Sequence, residues 1–171
     1  GQSDWFAHKL RCQHLIQGWQ HACHTARGSW GGGETPTLRD IVVPGTVVLS
    51  GSAMGIITSE DRRIKGDIVA DTRIVLIGSS GIHVNGLTLC RDIAAKLPGG
   101  YQTLVRAGET FGQALLTPTT LYARLVETCL DRGVHIRYAI NVTGHGWRKL
   151  MRHLGLWSYV IQRIPQPQPI F

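Results

Sequence analysis

The chain has 171 residues, a hydrophobic content of 43% and a formal net charge of +7. This length allows one or two domains with a buried core, and the composition is that of an ordinary globular protein. The basic residues are scattered, with no basic run interleaved with aromatic residues, so the charge does not indicate a nucleic-acid-binding module. No stretch approaches the roughly 18 consecutive apolar residues of a membrane helix. The N-terminal residues also lack the pattern of a secretory signal, so we expect a cytoplasmic protein without nucleic-acid or membrane partners.

The first predicted element is a helix from about Asp4 to Ala26, with Ser3 as its N-cap and Gly28 as its terminator. Its apolar residues recur at a spacing of three to five positions, and they are Phe6, Leu10, Leu15, Trp19, Ala22 and Ala26. Residues 42–58 are rich in Val, Ile and small side chains and are predicted to form one or two strands.

The cysteines and histidines of the first helix raise the question of a metal site. The residues concerned are Cys12, His14, His21, Cys23 and His24. The two cysteines are eleven positions apart, and no compact tetrahedral set of ligands follows from helical spacing. The sequence therefore predicts no metal site, and all four cysteines are predicted to be reduced thiols.

The central part of the chain alternates apolar segments with glycine-rich turns. Arg73–Ile77 is predicted to be a buried strand because Ile74–Ile77 is continuously apolar, and Leu87–Leu97 is predicted to be a helix that Pro98-Gly99-Gly100 ends. Between them lies the run Gly78-Ser79-Ser80-Gly81-Ile82-His83-Val84-Asn85-Gly86. A strand, a glycine-rich turn and a helix start can aim backbone N–H groups at an anion. The alternative is a turn in which the Ser and Asn side chains bond their own backbone.

The C-terminal part is predicted to contain a helix, a strand, a short helix and an extended tail. The helix spans Thr119 to Arg132, the strand Val134 to Val142, and the short helix Trp147 to His153. Thr117 and Pro118 have the residue types of an N-cap and a first helical position, which is an alternative to a role in substrate contact. Residues 164–171 have proline at every second position in their central part, so they are predicted to be an extended tail or a linker.

Three further motifs accompany the glycine-rich turn. They are Gly31-Gly32-Gly33-Glu34-Thr35-Pro36, Leu115-Leu116-Thr117-Pro118-Thr119-Thr120-Leu121-Tyr122, and Asn141-Val142-Thr143-Gly144-His145-Gly146. In this order the four motifs resemble those of the AIR synthase family, phosphoribosylformylglycinamidine cyclo-ligase, and in particular its AIR-synthase-related branch. The last motif departs from the family's TGGG pattern, because His145 replaces a glycine. If that glycine needs a positive φ or a close ligand, the imidazole would strain or block the site.

The resemblance implies an α/β (α+β) fold like the AIR synthase C-terminal domain, with a mixed sheet and packed helices, present as a partial domain. It implies that residues 1–65, with the helix, the GGGET loop and strands, correspond to the end of the family's N-terminal half. Residues 66–171 correspond to a partial C-terminal domain with a Pro-rich tail. A homodimer is also expected, because AIR-synthase-like proteins dimerise through the half of which the part from Trp30 to Thr58 is present.

The activity implied is the ATP- and Mg²⁺-dependent closure of an imidazole ring on formylglycinamidine ribonucleotide, a step of purine biosynthesis. The nucleotide site would lie largely outside this chain. The resemblance makes His83 and Glu34 candidate catalytic residues, with Glu34 also a candidate contact of Mg²⁺ or the substrate amidine. The candidate substrate-binding residues are Ser79, Ser80, Gly81, Asn85, Thr117, Thr143 and Gly144.

Three functions remain open at the level of the sequence. The first is a cyclo-ligase segment that contributes phosphate and substrate contacts, is not expected to turn over alone and needs a separate ATP-binding half. The second is a catalytically inactive binding or dimerisation module that retains the fold. The third is a related small-molecule kinase of the same superfamily, against which the SSG-x-H-x-NG form of the turn argues.

Overall fold

A computed structural model describes residues 3–171 of the chain. The chain divides into two compact units, which we describe separately. The first contains the residues up to Arg63 together with Leu121–Val134, and the second contains Ile64–Thr120 together with His135–Phe171.

The described residues form short helices and one small sheet. The α-helices are α1 (Ser3–Phe6), α2 (Lys9–Thr25), α3 (Leu87–Lys96), α4 (Phe111–Leu115) and α5 (Ala123–Asp131). The strands β1 (Leu104–Arg106) and β2 (Glu109–Thr110) pair antiparallel. Three 3₁₀ helices span Glu60–Arg62, Gly100–Gln102 and Gly146–Arg152. No helix among the described residues is both long and apolar enough to cross a bilayer.

The N-terminal helix is interrupted, which corrects the expectation of one helix from Asp4 to Ala26. His8 adopts an extended backbone conformation, and its Nδ1 accepts a hydrogen bond of 3.3 Å from the backbone N–H of Arg11. His8 therefore caps α2 and separates it from α1. Ser3 lies within α1 rather than before it.

The C-terminus of α2 is closed by Arg27 and Gly28 together. The N–H of Arg27 donates to the carbonyl of His24 at 3.0 Å, and that of Gly28 donates to the carbonyl of Cys23 at 2.8 Å. This is the hydrogen-bond pattern of a Schellman motif. The left-handed position is held by Arg27, with φ 56°, so the predicted terminator Gly28 is the second residue of the motif.

The core of the second unit lies where α3 and α4 pack near the hairpin. Ala94 of α3 and Phe111 and Ala114 of α4 are buried. A capping box begins α4, because the hydroxyl of Thr110 accepts from the N–H of Gln113 while the Gln113 side chain accepts from the N–H of Thr110. The turn at Gly108, φ 77°, joins the two strands, and α4 follows directly after β2.

The predicted strands at residues 42–58, at Arg73–Ile77 and at Val134–Val142 are wrong. Within the described residues these segments form no ladder, and the sheet consists of β1 and β2 alone. A strand requires a neighbouring strand to which its backbone forms hydrogen bonds. An apolar pattern indicates that a segment favours burial, but it does not provide that neighbour. Ile74, Val75, Leu76 and Ile77 are all exposed. The fold is a mixed arrangement of helices and a small sheet, compatible with the α/β class.

The predicted helices agree with the structure more closely than the predicted strands do. Leu87–Leu97 is confirmed as α3, and the short helix at Trp147–His153 is present as the 3₁₀ helix Gly146–Arg152. The helix expected from Thr119 begins only at Ala123, with Tyr122 as its N-cap. The capping role of Thr117 and Pro118 is therefore wrong. The reason is that the carbonyl of Pro118 and the N–H of Thr120 form hydrogen bonds to the glycine-rich turn instead of to a helix.

Candidate functional site

The glycine-rich turn of the second unit connects residues 73–77 to α3. Its backbone is left-handed at two consecutive residues that are not glycine, His83 with φ 51° and Val84 with φ 56°. Left-handed conformations cost roughly 1–2 kcal/mol for a residue with a Cβ. Gly86, with φ 71°, then forms the N-cap of α3. The turn is therefore strained, and surrounding contacts must hold it.

The imidazole of His83 is the centre of these contacts. Its Nε2 lies 2.9 Å from the backbone N and 2.8 Å from Oγ of Ser80. The backbone N of Thr120 lies 3.3 Å from the same Nε2. The ring is half-buried, so it is not simply a solvated side chain. His83 thereby connects two segments that are separated by 37 positions in the chain.

Further contacts fix the turn against its neighbours. The hydroxyl of Ser80 donates to the carbonyl of Pro118 at 2.6 Å. Gly81 is buried, and a Cβ built on it would lie 3.7 Å from Cβ of Thr117. The side-chain amide of Gln168, in the Pro-rich tail, donates to the carbonyl of Ser79. The structure thus brings Ser79, Ser80, Gly81, His83 and Thr117 together.

Asn85 lies on the same turn, and its backbone N–H donates to the carbonyl of Ile82 at 3.1 Å. Its side chain is exposed. The turn therefore uses the backbone of Asn85 for its own closure, while the amide side chain faces solvent.

Thr143 and Gly144 lie in a separate turn of the same unit. The N–H of Gly146 donates to the carbonyl of Thr143 at 2.6 Å, and Nζ of Lys149 contacts Oγ1 of Thr143. Among the described residues, the hydrogen bonds of Thr143 thus connect it to its own turn and to the 3₁₀ helix that follows. His145 is exposed and has φ −86°, an ordinary value for any residue. The imidazole at this position therefore strains no backbone, and the positive φ belongs to Gly146.

Glu34 lies in the first unit, in residues 28–38, which form neither helix nor strand. Its side chain is exposed. Within residues 3–171 no group of three or more His, Cys, Asp and Glu side chains is placed to hold a metal ion.

Sequence reasoning missed Pro118 and Thr120, whose backbone groups complete the cluster at His83. Pro118 and Thr120 contribute through backbone atoms. Since every residue has these atoms, the side-chain types in the motif do not indicate which residues take part. The contact between Ser80 and His83 could be predicted, because the two residues lie three positions apart in one turn. The hairpin and α4 were also missed, although Gly108 is a residue type typical of a turn, and Thr110 with Gln113 three positions later is the sequence signal of a capping box.

Comparison with known proteins gives consistent relatives. Phosphoribosylformylglycinamidine cyclo-ligase of Methanocaldococcus jannaschii is 35% identical over 144 residues, which cover 82% of this chain and 40% of the relative. The protein of the same name from Symbiobacterium thermophilum is 34% identical over 140 residues, covering 78% of this chain and 39% of the relative. Trifunctional purine biosynthetic protein adenosine-3 of Gallus gallus is 34% identical over 137 residues, covering 78% of this chain and 14% of that protein.

The chain therefore spans about 40% of the length of the cyclo-ligases it matches. No family model and no solved structure matches the chain.

Proposed function

Since this chain belongs, as a partial member, to the phosphoribosylformylglycinamidine cyclo-ligase (AIR synthase) family, we propose that it is a cyclo-ligase segment of purine biosynthesis. In this proposal it supplies contacts to the phosphate of formylglycinamidine ribonucleotide. It resembles the family's C-terminal domain over residues 66–171 and the end of the N-terminal half over residues 1–65. It acts in the cytoplasm and as a homodimer.

One observation carries the proposal: hydrogen-bond donors from two distant segments converge on a single point. The backbone N of Ser80 and the backbone N of Thr120 lie 2.9 Å and 3.3 Å from His83 Nε2. Oγ of Ser80 lies 2.8 Å from the same atom, and its proton can turn to this point from the carbonyl of Pro118. Backbone N–H groups and hydroxyls that converge in this way match the acceptor oxygens of a phosphate.

The candidate phosphate contacts are assigned by their motifs, and they are Ser79, Ser80, Gly81, Asn85 and Thr117. Of these, Ser80 has atoms within hydrogen-bond distance of the proposed phosphate point. Closing the imidazole ring requires an amidine nitrogen to lose a proton, and His83 is the residue of the turn whose side chain can accept one.

Thr143 and Gly144 are assigned to substrate contact by the motif that they share with the family. Lys149, which contacts Thr143, would bring a positive charge to that turn. Glu34 is retained as the candidate contact of the amidine or of Mg²⁺ by its motif alone.

ATP and Mg²⁺ complete the reaction only in the presence of a separate ATP-binding half. The described residues do not fit a bound metal, because Glu34 is exposed and no set of three ligating side chains is assembled. We therefore derive no catalytic step of this chain through ATP or Mg²⁺. The chain alone is expected to bind the substrate phosphate without turnover.

Calorimetric titration with formylglycinamidine ribonucleotide tests the proposal. The unmodified chain is expected to bind saturably, and Ser80→Ala is expected to weaken binding about tenfold, since a hydrogen bond to a charged group contributes about 1.5 kcal/mol or more. Ser158→Ala is the matched control, because Ser158 is exposed and lies outside the helices and strands. Absence of heat at millimolar ligand would contradict the proposal.

A second function shares one observation with the first. Met54 and Ile56 of the first unit are almost fully exposed, at 101% and 91%. Such side chains favour an interaction surface, which a binding or dimerisation module without catalysis would need as much as the proposed homodimer does. Self-association without any binding of the ribonucleotide would make this second function the better one.

A further inference from the structure

We infer that the imidazole of His83 is a removable occupant of an oxyanion site, and that it must leave when a phosphate oxygen binds. The site consists of the backbone N–H groups of Ser80 and Thr120 and the hydroxyl of Ser80. The inference rests on the proposed function for the identity of the natural ligand, but its geometry stands on contacts within the second unit alone. It assigns to His83 a role in which its ring competes with a phosphate oxygen for the same hydrogen-bond donors. This role is separate from proton transfer.

A count of protons shows that the ring does not satisfy the groups around it. With the ring proton on Nδ1, Nε2 accepts from the N–H groups of Ser80 and Thr120, and the hydroxyl of Ser80 donates to Pro118. Nε2 and Oγ then face each other at 2.8 Å with no proton between them. Two lone pairs at this distance repel each other.

The other tautomer has the opposite defect. A proton on Nε2 donates to Oγ of Ser80, and Oγ donates onward to the carbonyl of Pro118. The N–H groups of Ser80 and Thr120 then point at an N–H and have no acceptor there. If the hydroxyl instead turns to donate to Nε2, the carbonyl of Pro118 loses its donor and three donors share the single lone pair of Nε2. In each arrangement at least one contact of the cluster is unsatisfied.

An anionic oxygen at the position of Nε2 lessens this conflict. It carries several lone pairs and no proton, so it accepts from both N–H groups at once, and also from the hydroxyl of Ser80 when that hydroxyl turns away from the carbonyl of Pro118. Hydrogen bonds to an ionised acceptor are also about twice as strong as those between neutral groups. The donors are therefore better matched to a phosphate oxygen than to the nitrogen that now lies among them.

The backbone of the turn allows the ring to be tested separately from the strain. His83 and Val84 are both left-handed, at φ 51° and 56°. Glycine tolerates this conformation, so the ring can be removed at position 83, or the backbone relaxed at position 84, without forcing the turn into another conformation. Because hydrogen bonds to an ionised acceptor are the stronger ones, the site favours anions over neutral ligands.

The expected effect follows from competition. An apparent dissociation constant equals the intrinsic one divided by the fraction of molecules in which the site is open. If the ring occupies the site in about nine molecules of ten, its removal tightens phosphate binding about tenfold. A residue that only contacted phosphate would produce a change of the opposite sign when deleted.

Titration of the full chain with inorganic phosphate, followed by ³¹P NMR, tests the inference. His83→Gly removes the ring at a left-handed position that glycine tolerates, and binding is expected to tighten about tenfold. Val84→Gly is the matched control, since it relaxes the neighbouring left-handed residue and leaves the ring in place. Its phosphate affinity is expected to stay within about twofold of the unmodified chain. Unchanged or weaker binding in His83→Gly, or equal tightening in both variants, overturns the inference.

A second measurement needs no substitution. In the unmodified chain, the ¹⁵N resonance of His83 Nε2 is expected to shift on saturation with phosphate, because the ring leaves its three neighbours. A resonance that stays unchanged at saturation overturns the inference.

Failure of the proposed function gives a different result. If formylglycinamidine ribonucleotide binds no more tightly than inorganic phosphate while His83→Gly still tightens phosphate binding, the anion site stands and its assignment to that substrate falls.

Discussion

Asp61, in the 3₁₀ helix Glu60–Arg62, has a carboxyl whose pKa depends on one neighbouring hydroxyl. A hydrogen bond from the side chain of Ser59 lowers the pKa of the Asp61 carboxyl below its usual range. The backbone N–H of Asp61 and the guanidinium of Arg62 act in the same direction. A lowered pKa in the folded state means that the carboxylate adds stability above its unfolded pKa, and that this stability is lost as the pH falls through the folded pKa.

Ser59→Ala is therefore expected to raise the pKa of Asp61 toward that of an unfolded chain. Titration of the carboxyl ¹³C resonances from pH 2 to 7 measures it, with Ser158→Ala as the control. A pKa of Asp61 that is the same in both variants would contradict the assignment of the hydroxyl as the main cause.

Arg27 is a non-glycine residue in the left-handed position after α2. Its replacement by glycine is expected to stabilise the fold by about 1 kcal/mol, since a Cβ costs that much in this conformation. Arg27 also forms an exposed ion pair of 2.9 Å with Glu127, which is worth at most about 1 kcal/mol. The comparison is therefore made in the Glu127→Ala background, by urea unfolding. A loss of stability on introducing Arg27→Gly in that background would show that the left-handed conformation carries no strain.

At the scale of elements, the capping box of α4 links the hairpin to the buried core. Thr110 ends β2 and caps α4, in which Phe111 is buried. Thr110→Ala is expected to lower the free energy of unfolding by about 1 kcal/mol, the usual cost of losing an N-cap. Urea unfolding measures the loss, and Thr88→Ala on the exposed face of α3 is expected to change stability by less than about 0.5 kcal/mol. Equal effects of the two substitutions would contradict a capping role.

Helices could be predicted from the sequence because they form their backbone hydrogen bonds within themselves. The pattern of α3 is local, and its first residue, Leu87, was correctly placed. Val75 and Leu76 have the composition of a buried strand, but pairing depends on a neighbour that the local pattern does not specify. The same limit applies to α5, whose start at Ala123 is set by hydrogen bonds that Pro118 and Thr120 make elsewhere.

The candidate site divides in the same way. Ser80 and His83 share one turn, so their proximity could be predicted from their spacing. The N–H of Thr120 reaches that turn from a distant segment, and only the folded chain shows the contact. His145 was expected to strain its turn if its position needed a positive φ, and its φ of −86° shows that the position does not.

At the scale of the whole molecule, exposed apolar side chains support the proposed homodimer. Met54 and Ile56 lie in the part of the chain to which dimerisation is assigned by resemblance, and both are almost fully exposed. Light scattering over a range of concentrations is expected to give a mass above that of one chain. The double substitution Met54→Glu with Ile56→Glu is expected to shift the mass toward the monomer.

The matched control carries glutamate at Leu154 and Leu156, which are exposed to 101% and 105% but lie in the second unit. Its mass is expected to equal that of the unmodified chain. A monomer mass that does not change with concentration would rule out the homodimer.

The contacts that hold the glycine-rich turn also bear on the order of folding. The contact between Thr120 and His83 spans 37 positions, and the contact between Gln168 and Ser79 spans 89. Closing such long loops has a larger entropy cost than forming a local helix such as α3, and this cost comes before the contacts can offset it. The donors around His83 are therefore expected to assemble after the folding barrier is crossed, so that Ser80→Ala accelerates unfolding and leaves the folding rate almost unchanged.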